Sequence, residues 1–206
     1  MTGIVDYNAG NITSVAHALD SLAIPFIISK TPHDLENCKS LIFPGVGDAA
    51  FAMNELKKTG FDVFLKNWTR SGKKILGICL GSQIIFDFSE EGETACLGLV
   101  KGKIVHLSKL LKNKNEKIPH MGWNNLVLEN GGTKLLTGVD SNSDFYFVHS
   151  YAIVPSDEKI VKAYADYGAK IPAIIESENI LACQFHPEKS GEAGLQIIKN
   201  FCLNEN

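Results

Sequence analysis

Lys74-Ile75-Leu76-Gly77-Ile78-Cys79-Leu80-Gly81-Ser82-Gln83 is the stretch on which the reading of this chain turns. The apolar run over 74–78 predicts a buried strand, and it passes through Gly77-x-Cys79-x-Gly81 directly into a helical pattern over 82–88. A strand that bends sharply into a helix around one reactive side chain is the thiol version of the nucleophile elbow of α/β sheets. Glycines flank the thiol because a side chain at either position would meet the neighbouring strand and helix. Cys79 then stands near a helix N-terminus, whose partial positive charge favours thiolate over thiol. A plain buried cysteine in a glycine-rich turn has the same local pattern, so the thiol needs partners before it is read as a nucleophile.

Cys183-Gln184-Phe185-His186-Pro187-Glu188 offers them. A strand over 180–185 ends at His186, and Pro187 keeps His186 out of the helical region. Residues two apart on an extended chain face the same way, so Glu188 can accept a hydrogen bond from the His186 imidazole and fix its tautomer. Alone, this is equally a surface turn before the last helix. Phe43-Pro44-Gly45-Val46-Gly47-Asp48 ends another strand. Its two glycines let backbone N–H groups point at an approaching oxygen, as an oxyanion hole requires, although a plain strand–helix turn reads the same way. Three strand ends carrying a nucleophile, a base pair and an oxyanion loop match the rule that open α/β sheets bind ligands at the carboxyl ends of their strands.

Around these motifs the first half alternates. Strands are expected over 3–7, 24–29 and 41–43, and helices over 48–58 and 61–70; a turn at 8–10 leads to Asn11 as N-cap of a helix reaching about residue 22. Continuous apolar strands with helices between them indicate a mostly parallel sheet covered on both faces. Beyond residue 98 the runs 125–128, 145–154, 160–164 and 173–176 predict an antiparallel or mixed β extension of that sheet. A helix over 191–201 closes the chain, and the Lys/Asn-rich segment 109–117 reads as a solvated loop. With no repeat, low-complexity stretch or linker, residues 1–206 read as one α/β domain.

Composition excludes other classes. The 206 residues carry 20 Lys+Arg and 23 Asp+Glu, a net charge of −3, with 45% hydrophobic residues and a mean hydropathy of +0.02. This profile excludes disordered, collagen-like and coiled-coil chains, and mild acidity argues against nucleic acid. No apolar run is long enough to span a membrane and no targeting signal is visible, so a cytoplasmic location is expected. The five cysteines are scattered and form no C-x-x-C pair, which argues against a disulfide framework or zinc site. Cys38, Cys96, Cys183 and Cys202 read as packing residues.

On these motifs the chain resembles the class I glutamine amidotransferases, and within them the glutaminase subunits of imidazole glycerol phosphate synthases. The resemblance also covers Asp6-Tyr7-Asn8-Ala9-Gly10-Asn11, Pro119-His120-Met121-Gly122-Trp123-Asn124, Tyr146-Phe147-Val148-His149-Ser150-Tyr151 and Glu188-Lys189-Ser190. It departs at Lys101, where the family usually has proline.

The resemblance implies a flavodoxin-like class I amidotransferase fold and a glutaminase with no metal and no cofactor. Cys79 would attack the glutamine side-chain amide, His186 would move the protons, and Glu188 would orient His186. Val46 and Leu80 would supply the oxyanion hole, and Gly47, Gln83 and Ser150 would hold the substrate glutamine. Ammonia would pass to a (β/α)8-barrel cyclase/synthase subunit in histidine biosynthesis, with Asn11, Met121, Trp123, Asn124, Tyr146 and Lys189 near that interface. For the aromatic residues a core role is equally open, as are partner-facing and purely internal roles for His120 and His149. The alternatives are a paralogous subunit feeding another barrel synthase, such as one aminating a sugar precursor, and a cysteine peptidase or DJ-1-like hydrolase. The His186-Pro187-Glu188 spacing and Gln83 argue against the latter two, and an intact triad argues against an inactive scaffold subunit.

Overall fold

The computed structural model describes residues 1–112 and 116–203. Its first half alternates as the apolar runs require: β1 (Thr2–Val5), α1 (Ile12–Ser21), β2 (Phe26–Ser29), α2 (Pro32–Leu35), β3 (Ser40–Gly45), α3 (Ala49–Thr59), α4 (Phe61–Arg70), β4 (Lys74–Cys79) and α5 (Leu80–Ile84). The second half is β-rich, with β5 (Phe88–Ser89), β6 (Thr94–Ala95), β7 (Gly102–His106), β8 (His120–Asn125), β9 (Val127–Leu128), β10 (Asp144–His149) and β11 (Tyr151–Pro155). There follow β12 (Val161–Asp166), β13 (Lys170–Ser177), β14 (Ile180–Cys183) and α6 (Gly191–Leu203).

An eight-stranded sheet in the order β2-β1-β3-β4-β14-β13-β12-β9 forms the spine. β2 through β14 run parallel, and β13, β12 and β9 extend it antiparallel. Side chains alternate across each strand. Leu41, Phe43 and Ile75 pack with Leu56, Phe61, Leu65 and Trp68 on the face covered by α3 and α4. Ile42, Leu76 and Ile78 pack with Val15, Leu19, Ile197 and Ile198 on the face covered by α1 and α6. Both faces are dry, so the parallel strands are apolar throughout.

Three expectations change. The helix after the elbow spans Leu80–Ile84 rather than 82–88, because Asp87 accepts hydrogen bonds from the Gly102 N–H and the Lys101 Nζ, both at 3.0 Å, and draws the chain towards β7. The run 145–154 is two strands in different sheets: β10 pairs only with β8, whereas β11 joins β7, β5 and β6. Only part of the second half therefore extends the main sheet. Asn11 occupies the N-cap position of α1 without a side-chain cap, since its ψ of 64° lies outside the β region from which such side chains reach the first turn. Residues 113–115 of the expected 109–117 loop lie outside the described residues.

Candidate active site

The three strand ends meet. Cys79 ends β4 with φ 54° and ψ −111°, a conformation rare for any residue with a Cβ. The turn is that tight because α5 starts at the next residue and crosses β3 at van der Waals distance. A Cβ on Gly81 would lie 2.0 Å from the Phe43 carbonyl oxygen, and one on Gly77 would lie 2.9 Å from the Gly81 carbonyl oxygen. No side chain fits at either position.

His186 Nδ1 lies 2.7 Å from Glu188 Oε1, with both side chains almost fully buried. Cys79 lines the same cavity as His186, its Sγ lying 3.9 Å from the Val148 carbonyl oxygen, close enough to act on the charge of the imidazole. Burial opposes charge on this ring, but Cys79 and Glu188 outweigh it and push the His186 pKa up to about 10. The protonated form of His186 is thereby favoured. The pairing does not come from an extended strand as expected. β14 stops at Cys183, and Glu188 lies in a 3-10 turn over Pro187–Lys189. Two hydrogen bonds to the His186 backbone fix this turn: its N–H donates to the Tyr146 carbonyl at 2.9 Å, and Ser190 Oγ donates to its carbonyl at 2.6 Å.

Cys79 and His186 open into a cavity of about 350 Å³, also lined by Val46, Gly47, Leu80, Gln83 and Ser150. That volume suits an amino-acid-sized ligand. Gln83 Nε2 donates to both the Tyr151 carbonyl and Gln184 Oε1, each at 2.9 Å. Both its protons are thus engaged, and Oε1 remains the group able to accept from a ligand. Leu80, first residue of α5, has no intrahelical acceptor for its N–H. Val46 differs from expectation. Its N–H donates to the Ala9 carbonyl at 3.0 Å rather than facing the cavity, because the loop carrying Ala9 folds back over the end of β3.

Five liners lie outside the expected site residues: Pro119, Val148, Glu91, His149 and Tyr151. Glu91 is the one carboxylate on the wall; its Oε2 accepts from the Ala49 N–H at 2.9 Å, and burial, followed by the nearby Asp48, raises its pKa. His149 and Tyr151 flank Ser150. Only the Tyr-Phe-Val-His-Ser-Tyr motif hinted at the last two, and nothing in the sequence singled out Glu91.

None of the remaining expected residues lines the cavity. Met121 and Trp123 project from β8 at 60% and 59% exposure, and Trp123 packs edge-on against Tyr146 at 5.8 Å. Lys189 Nζ sits 6.0 Å above the Tyr146 ring. Asn124 turns inward and donates to the Asp166 carbonyl at 2.9 Å. Asn11 is half-buried beyond the carboxyl end of β1. All five thiols are free, and burial raises the pKa of Cys38, Cys96, Cys183 and Cys202.

Residues 3–205 match the family model described as glutamine amidotransferase class-I. The chain belongs to the class I glutamine amidotransferases. Among its relatives, the imidazole glycerol phosphate synthase subunit HisH of Prochlorococcus marinus subsp. pastoris is 45% identical over 200 residues, covering 97% of this chain and 96% of that protein. The subunit of the same name from Geobacillus sp. (strain WCH70) is 44% identical over 203 residues, covering 98% of this amidotransferase and 95% of its own length. In three dimensions it is similar to a crystal structure of a glutamine amidotransferase, with TM-score 0.75 and 18% identity over 97% of this chain and 98% of that one. It is likewise similar to the structure of PurLQS from Thermotoga maritima, with TM-score 0.71 and 22% identity over 97% and 96% of the two chains.

Proposed function

We propose that this amidotransferase is the glutaminase subunit of imidazole glycerol phosphate synthase, hydrolysing glutamine to glutamate and ammonia. The observation that carries the chemistry is the Cys79 thiol and the Glu188-bonded His186 ring sharing the wall of a cavity of amino-acid size. The histidine-pathway assignment rests on the full-length relatives named HisH.

In this reading Glu91 meets the substrate ammonium and Gln83 Oε1 accepts from an N–H of the substrate. Cys79 Sγ attacks the side-chain carboxamide, and His186 takes the thiol proton. Negative charge on the tetrahedral oxygen falls to the Leu80 N–H and, once freed from Ala9, the Val46 N–H. His186 protonates the departing nitrogen, ammonia leaves and a thioester remains. Water, deprotonated by His186, then releases glutamate and the thiol. Glu188 keeps one face of the imidazole fixed throughout.

The ammonia acceptor is a synthase subunit, proposed to be a (β/α)8 barrel docked against the face that carries Met121 and Trp123. Two large apolar side chains exposed on one strand fit such an interface. Action in the cytoplasm goes with this biosynthetic role. The deciding experiment compares glutamate release with and without the imidazole-glycerol-phosphate-forming partner and its nucleotide substrate. Strong stimulation is expected. Cys79→Ala should abolish glutamine-dependent turnover of the complex and spare turnover with added ammonia. Flat activity with that partner would move the chain to another synthase.

A further inference from the structure

β8 and β10 form a two-stranded sheet hydrogen-bonded as strands to neither larger sheet. At its inner end His120 pairs with His149 in register. Both rings are buried, at 2% and 6% exposure, and they join the outer face of the molecule to the glutamine cavity.

The proton positions in this connection follow from its inner end. His149 Nδ1 lies 2.8 Å from the Tyr151 carbonyl oxygen, and a carbonyl only accepts, so Nδ1 carries the hydrogen. Neutral His149 therefore has a bare Nε2. His120 Nδ1 approaches it at 3.0 Å and must donate. His120 Nε2 is bare in turn, with Asn124 Nδ2 at the long distance of 3.5 Å. All the bonds point inward. The Tyr151 carbonyl that receives the last of them also receives the Gln83 side-chain amide.

Two further observations make the arrangement rigid. The His120 ring is stacked between Phe147, centroids 4.6 Å apart, and Tyr167, 4.0 Å apart, so it cannot turn away. Burial also lowers the His120 pKa to about 4 and that of His149 to about 3, where His120 and His186 add to the effect. The pair stays neutral at physiological pH, as the donor order demands.

We propose that His120 is a positioning residue for glutamine: through His149 and the Tyr151 carbonyl it fixes the orientation of the Gln83 side chain. The proposal deepens the glutaminase reading and rests on it. Its test uses the chain in complex with its synthase partner. His120→Phe keeps both stacks and removes the donor, whereas the Nδ2 of His120→Asn stands close to where His120 Nδ1 stood. His120→Phe should raise the KM for glutamine roughly tenfold, with kcat within about twofold and ammonia-dependent turnover intact; His120→Asn should recover most of the loss. In nitrogen-15 spectra of the wild-type complex both rings should carry hydrogen on Nδ1.

An unchanged KM in His120→Phe, an equal loss of glutamine- and ammonia-dependent turnover, or hydrogen on Nε2 of either ring overturns the relay. The spectra decide the matter even if His120→Phe does not fold. A wild-type complex that releases no glutamate from glutamine instead overturns the glutaminase reading beneath it.

Discussion

The Val46 N–H and the Ala9 carbonyl are joined by a 3.0 Å hydrogen bond across the mouth of the cavity. A peptide unit is planar, so this bond holds the whole Gly45–Val46 unit in one orientation. With Val46 engaged, one of the two expected oxyanion donors, the Leu80 N–H, is left to a tetrahedral oxygen. One missing oxyanion donor slows acyl transfer by about a hundredfold to a thousandfold. The isolated chain should therefore hydrolyse glutamine at least about a hundredfold more slowly than its complex, while a small alkylating agent, which needs no oxyanion hole, modifies Cys79 at similar rates in both. Equal glutaminase rates in the two states would show that the Val46–Ala9 bond has no part in control.

Glu188 acts only through His186, to which it is bonded at 2.7 Å. Glu188→Gln keeps the shape but removes the negative charge that stabilises the imidazolium, and its amide NH2 can turn to the ring and favour the wrong tautomer. We expect kcat for glutamine to fall by about a hundredfold or more with KM little changed, measured as glutamate release by the complex. A loss confined to KM would place Glu188 in substrate binding.

Tyr7 carries a buried hydroxyl with no hydrogen-bond partner among the described residues. Burial, with a smaller contribution from Cys79, raises its pKa and keeps it protonated. Removing an unpaired buried hydroxyl leaves no group stranded, so Tyr7→Phe should be neutral or stabilising by up to ~1 kcal/mol in urea unfolding. A clear destabilisation would mean that the hydroxyl has a stabilising partner.

The histidines predict opposite limbs of the stability–pH curve. His120 and His149 are held neutral, with pKa values of about 4 and about 3, so below the unfolded value near 6.5 the unfolded chain binds more protons. Stability should fall as pH drops from 6.5 towards 4. His186, raised to about 10, contributes stability that is full below the unfolded value and is lost as pH rises towards 10. Denaturation at pH 5, 7 and 9 checks both limbs. His120→Phe should lessen the loss between pH 7 and 5, and His186→Gln should flatten the alkaline limb.

The parts of this molecule that could be read from the residues are those whose cause is local. The elbow announces itself because Gly77, Cys79 and Gly81 serve one turn, and the His186–Glu188 bond spans two positions. The parallel half of the fold followed from apolar runs buried on both faces. What escaped depends on segments far apart in the chain. Nothing within 145–154 marks Ser150 as the point where the chain changes sheets, since Phe145, Phe147, Ala152 and Ile153 are buried on both sides of it. β8 was missed because its outer side chains, Met121 and Trp123, are exposed apolar residues, which breaks the usual alternation. Pro44-Gly45-Val46-Gly47 revealed freedom of the backbone but not its direction, which is set by Ala9. Glu91 joins the site only because the segment after β5 folds against the start of α3.

Cys79 sits at φ 54°, where a side chain is held at a penalty of about 1–3 kcal/mol, and glycine alone adopts such angles freely. The chain is thus less stable than its own scaffold allows at the residue that performs the chemistry. Cys79→Gly should melt about 2–4 °C above the wild type while releasing no glutamate. A selection for heat resistance that ignored turnover would drive this position to glycine; only the need for a thiol keeps the strained residue in place.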